Sequence, residues 1–184
     1  MSPRFPIFDL EGPGSVKLDL EQRYETLESV FIHQFFQLYR QLGERFGWEV
    51  ANEIALAVPD SSIPLIVESY RRKFELPGEG AELISQVMQA EFQAEGSDVA
   101  VEQESPDAAA FEVLCSFGGM LQSGRYDDVH IEAGLCHEGC AGWMSKVGAT
   151  IDPPVDAERQ TWMGDGASRC RFKLTREAKP VASA

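Results

Sequence analysis

RQTWMGDGASRCRFKL, residues 159 to 174, decides the fold class. Two short alternating runs flank the turn-rich centre MGDGAS, the pattern of a β-hairpin. Partner strands lie upstream. VAVEQE (99 to 104) alternates, SPD is a turn, and AAFEVLCSF (109 to 117) reads as a strand with Phe111, Val113 and Cys115 on one face. Gly118 and Gly119 are expected to end that strand. A helix is expected from Asp127 to Val147, behind the Asp127/Asp128 pair, although Gly134, Gly139 and Gly142 weaken its helical propensity. IDPPVD is a loop leading back to the hairpin.

Upstream of residue 96 the apolar period is helical. Tyr24, Leu27, Val30, Phe31, Phe35, Leu38, Leu42 and Phe46 recur at three- and four-residue steps from Glu21 onward, predicting a wide apolar stripe. Gly47 loosens this helix. A second is expected from Glu49 to about Val58, where Pro59 and the following Asp60, Ser61 and Ser62 mark a stop and a new cap. A third spans Ile63 to Phe74 and a fourth Ala81 to Phe92, joined by the turn LPGEG. The expected fold is α+β: a helical N-terminal half packed on a small, mainly antiparallel sheet with an inserted cysteine-bearing helix. The 184 residues match a single domain, with 1–96 mainly helical, 97–177 α+β and 178–184 a flexible tail. Residues 1–20, rich in Pro and Gly, are expected to be extended.

Lys and Arg number 16 against 30 Asp and Glu, a net charge of −14 that repels phosphate backbones and anionic lipid. Nucleic acid and membrane are therefore not expected as partners. No apolar run reaches the roughly 18 residues needed to span a bilayer, and MSPRFPIFDLEGPG lacks a secretory pattern. The expectation is a cytoplasmic protein with a small-molecule partner, able to form a homo-oligomer.

Chemistry concentrates in LCHEGC, residues 135 to 140, which holds two of the four cysteines. On a helix Cys136 and Cys140 would share a face one turn apart, a spacing that admits two ligands to one ion but strains a disulfide. Cys115 ends one strand and Cys170 lies in another, so pairing those strands could bring both sulfurs to the helix and close a four-thiolate site. Soft thiolates favour zinc, the first expectation, or an iron–sulfur cluster as the alternative. The competing reading is that free cysteines are among the most buried residue types and fill core. His137 and Glu138, beside the helical cysteines, are candidate proton carriers, while His33, among Phe31, Phe35 and Phe36, reads as a core or boundary residue.

The order FEVLC, LCHEGC, RQTWMGDGASRCRFKL resembles the L-2-amino-thiazoline-4-carboxylic acid hydrolase family over about residues 100 to 175. The resemblance implies opening of a C–N bond in a small cyclic amidine, with Cys115, Cys136 and Cys170 in the family's recurrent cysteine positions. Cys140 stands where that pattern offers an acidic residue or histidine. For such a hydrolase the catalytic candidates are Cys136, His137 and Glu138, with Arg159 or Arg169 gripping a substrate carboxylate. The alternative is a non-catalytic metal- or ligand-binding module, related to vinyl-reductase-type sensor domains, in which Cys115, Cys136, Cys140 and Cys170 hold zinc or an iron–sulfur cluster.

Overall fold

The computed structural model describes residues 19–129, 136 and 139–176. The expectations for residues 1–18, for His137 and Glu138, and for the tail beyond Arg176 fall outside them. The architecture is α+β, in the order α1 (Leu20–Phe46), α2 (Trp48–Asp60), α3 (Ile63–Phe74), α4 (Gly80–Ala94), β1 (Asp98–Ser105), β2 (Ala108–Leu114), α5 (Ser116–Gln122), α6 (Cys140–Gly148), β3 (Val155–Thr161), β4 (Cys170–Arg176).

α1 starts at a capping box. The Asp19 carboxylate accepts the Gln22 N–H at 2.8 Å, while the Gln22 side chain accepts the Asp19 N–H at 3.1 Å. Its buried face is Ile32, Phe36, Tyr39 and Gly43. The expected stripe is thus corrected: Leu27, Phe31, Leu38 and Phe46 are all more than half exposed. Apolar residues occupy more than one side of this helix, and the position of its partners selects the side that is covered. α2 lies against its C-terminal half, where the Trp48 ring sits so close to Gly43 that any Cβ there would collide. Near its start, the Tyr24 hydroxyl donates to the Gln93 carbonyl at 2.7 Å and ties α1 to the end of α4.

The sheet has strand order β1-β2-β4-β3, with every pair antiparallel. α4 lies along one face. Val87, Met88 and Phe92 meet Phe111, Val113, Phe172 and Leu174, with Met144 and Val147 of α6 and Val155 of β3 closing the cluster. Each such side chain, removed from water, contributes about 1.5–3 kcal/mol before entropy is counted. Glu112 and Arg171 pair on the opposite face at 2.8 Å, giving the in/out alternation of a sheet covered on one side. A second cluster joins Ile32, Phe36, Tyr39 and Ala51 to Tyr126 and Val129.

Two sequence expectations are corrected around the cysteines. β2 ends at Leu114, not Phe117, and Gly118 and Gly119 lie inside α5. Cys115 turns the chain by capping that helix, its sulfur accepting the Gly118 N–H at 3.5 Å, so the strand period stops where the cap begins. Among the described residues, the helix expected over 127 to 147 is α-helical over Cys140–Gly148; Cys136 and Gly139 have π-helical backbone, and residues 127–128 form a turn. Gly139 is a poor helix former, and the expected cap residue Asp128 is engaged elsewhere, pairing with Arg40 of α1 at 2.6 Å.

Candidate functional site: a cysteine-walled cavity beside an apolar one

Strand register places the first two sulfurs. β2 and β4 pair with Val113 opposite Cys170, so Cys115, two residues beyond Val113, emerges at the same end of the sheet. The start of α6 brings Cys140 to that end, and Cys136 approaches from the turn before it. All four cysteines line one cavity of about 570 Å³, together with Tyr126, Arg159, Trp162 and Met163. That size lies within the range of small-molecule pockets.

Backbone amides and one arginine fix the walls. Cys170 Sγ accepts the Met163 N–H at 3.4 Å, which folds the hairpin loop over the strand end. Arg159 donates through Nη1 to the Cys136 carbonyl at 2.6 Å, and its guanidinium lies 5.3 Å from the centre of the Trp162 ring. Of the two candidate arginines, Arg159 therefore joins the cysteines. Arg169 does not: it borders a shallow surface site with Glu21, Glu25 and Glu28, because it precedes β4 on the outward side of the loop. His33, outside the cavity, has its Nδ1 2.6 Å from the Tyr126 hydroxyl.

Burial raises the Cys115, Cys140 and Cys170 thiols. It pushes the Cys115 thiol up against the opposing N–H groups of Gly118 and Phe117, with Cys170 and Glu95 adding to the rise. Cys140 is raised well above the ordinary value, first by burial and then by the three other cysteines and Glu95. Cys170 is raised by burial, with the Met163 N–H and Arg159 acting the other way. Among the described residues, no three His, Cys, Asp or Glu side chains are grouped to hold one ion. The four sulfurs share one cavity wall.

A second cavity of about 590 Å³ adjoins the first. It lies between α1, α2, α4 and α6 and is lined mainly by apolar side chains, among them Phe31, Phe35, Leu42, Val58, Phe117 and Trp143. Phe92, Cys115, Leu121, Cys136 and Cys140 line both cavities. Of the exposed apolar side chains of α1, Phe31 and Leu38 line this cavity, whereas Leu27, Val30 and Phe46 do not. Glu91 and Glu95, near the end of α4, also line it, and sequence reasoning missed both. Their signal was two like charges one turn apart in a helix that is otherwise buried. Tyr126 and Met163 had no comparable signal, since each reaches the site through loops.

No family model matches the chain, and no curated protein matches it significantly. Among solved structures, the chain is similar to the phenol-responsive sensory domain of the transcription activator PoxR, determined with phenol. The match has a TM-score of 0.51 at 14% identity and covers 79% of this chain and 74% of that one, a likeness of fold. An unliganded Fe(II) H-NOX protein mutant from K. algicida aligns over 89% of this chain and 76% of its own, at 11% identity with a TM-score of 0.27. Among the described residues, no single helix is long and apolar enough to cross a membrane.

Proposed function

We propose that this chain is a small-molecule-binding sensory module in which an apolar ligand lies in the cavity between α1, α2, α4 and α6. The observation that carries this reading is the shared wall: a ligand touching Phe92, Leu121, Cys115, Cys136 or Cys140 from the apolar side alters the cysteine cavity on the other. The fold it shares with a phenol-responsive sensory domain supports the same reading. A covalent hydrolase of the amino-thiazoline carboxylate type needs an activated thiolate, and burial works against one by raising Cys115, Cys140 and Cys170. Convergence of four cysteines on one cavity favours a second reading, a thiolate-bound metal, zinc ahead of an iron–sulfur cluster. Metal analysis of anaerobically purified protein, with Cys140→Ser beside Cys136→Ser, tests it. One equivalent of metal, lost in both variants, is the outcome that supports it.

The ligand-binding reading is tested by titrating small aromatic probes, phenol included, while following tryptophan fluorescence and the alkylation rate of each cysteine. Trp143 lines the apolar cavity and Trp162 the cysteine cavity, so Trp→Phe variants assign the signal to one or the other. Binding should change both signals and slow alkylation of Cys115, Cys136 and Cys140. Turnover of L-2-amino-thiazoline-4-carboxylate without any such protection would overturn the proposal.

A further inference from the structure

The apolar cavity is not uniformly apolar. Its lining includes the acidic residues Asp60, Glu91 and Glu95; the one cationic lining side chain among the described residues, Lys146, already pairs with Asp60. Glu91 accepts the Tyr70 hydroxyl. For the Glu95 carboxylate, the carboxylate of Glu91 is the charged neighbour that acts on it, one turn away on the same helix. Two acidic groups thus face a largely apolar space lined by Phe31, Phe35, Phe117 and Trp143, with no cation of the chain set against them among the described residues.

We propose, resting on the ligand-binding reading, that the cavity takes an amphiphilic amine: its cationic head against the Glu95 and Glu91 carboxylates, its aromatic or aliphatic body among Phe31, Phe35, Phe117 and Trp143. The chemistry runs in one direction. A carboxylate or phosphate ligand would add negative charge to a site that already holds two acids. A neutral ligand fills the apolar volume but leaves their mutual repulsion in place. An ammonium cancels that repulsion and donates charge-assisted hydrogen bonds, and the aromatic faces add cation–π attraction. The cost the acids now bear is visible in Glu95, whose carboxyl is pushed up to about 7 by burial and then by Glu91. Glu95 also acts electrostatically on Cys115 and Cys140, so neutralising it by a bound cation reaches the cysteine wall.

Isothermal titration of the whole chain with four probes tests the proposal: 2-phenylethylamine, 2-phenylethanol, 3-phenylpropanoate and ethylamine. The amine should bind about tenfold or more tighter than the alcohol, the difference between a charge-assisted and a neutral contact in a partly dry site. The carboxylate should show no saturable binding, and ethylamine, which has the head without the body, should bind at least about tenfold more weakly than 2-phenylethylamine. Glu95→Gln should bring the amine-to-alcohol ratio close to one, and Glu91→Gln should lower it, with melting curves verifying that both variants fold. An alcohol that binds as tightly as the amine, or a ratio unchanged in both variants, overturns this inference alone. Failure of every probe to bind overturns the ligand-binding reading with it.

Discussion

Phe36→Ala, set against Phe31→Ala, tests which side of α1 faces the core. Phe36 is 0% exposed; its ring stacks on Tyr126 with centroids 4.2 Å apart and meets Phe35 edge-on at 5.8 Å. Phe31 is 53% exposed, touches Phe117 edge-on at 6.4 Å and otherwise borders the apolar cavity. Truncating a fully buried phenylalanine costs about 3–5 kcal/mol, and loss of the stacked pair places Phe36→Ala towards the upper part of that range. At roughly 2–4 °C per kcal/mol for a chain of this size, the melting temperature should fall by roughly 6–20 °C. Phe31→Ala gives up about half of its burial and leaves no closed void, so about 1 kcal/mol is expected. Urea denaturation of both variants at equal protein concentration measures the two costs. Equal costs, or a larger one for Phe31, would refute the assignment of Ile32, Phe36 and Tyr39 as the buried face.

Glu95→Gln should change how stability depends on pH. The folded carboxyl is held near 7 against an ordinary 4.5, so the native state binds the extra proton between those values. Stability contributed by this group is therefore fully present below pH 4.5 and is lost as pH rises through 7. The variant should be the more stable of the two at pH 8, and a denaturation series from pH 5 to pH 8 that shows parallel curves would contradict this. Gly148→Ala places a methyl against the Val155 backbone carbonyl, which cannot swing aside, so a loss of about 1–3 kcal/mol is expected in thermal melting, and an unchanged melt would refute the close approach of α6 to β3. Iodoacetamide at neutral pH should modify Cys115 and Cys140 more slowly than a free cysteine, with rates that climb as pH passes 9; mass-spectrometric detection of a fast thiol at either position would restore the activated-nucleophile reading.

Local signals by themselves determined the elements whose causes lie within a few residues. Ile63 to Phe74 is a helix in sequence and structure alike, because Pro64 favours its first turn and Glu75, in the left-handed conformation, closes it. The hairpin expected over 159 to 174 was equally legible, since alternation and a glycine-bearing turn are local properties, but β3 starts earlier, at Val155, within the segment expected as a loop. The α+β class followed from the change of period near Gly96. Antiparallel pairing of the segments holding Cys115 and Cys170 also brought those two sulfurs to one end of the sheet, as expected.

Tertiary structure decided what no local period encodes. The apolar residues of α1 could cover either of two sides, and only the position of α2 and of the 126–129 segment made Phe36 core and left Phe31 to line a cavity. β2 stops at Leu114 because the Cys115 sulfur finds the Gly118 amide, a cap that looks in sequence like one more strand residue. Arg159 and Arg169 are both arginines of the hairpin, yet loop geometry turns one towards the Cys136 carbonyl and the other towards an acidic surface. Glu91 and Glu95 were not among the residues the sequence pointed to. Burial makes them the polar pair of the cavity between α1, α2, α4 and α6, because a carboxylate's chemistry depends on the water around it, and that water is removed by parts of the chain distant in sequence.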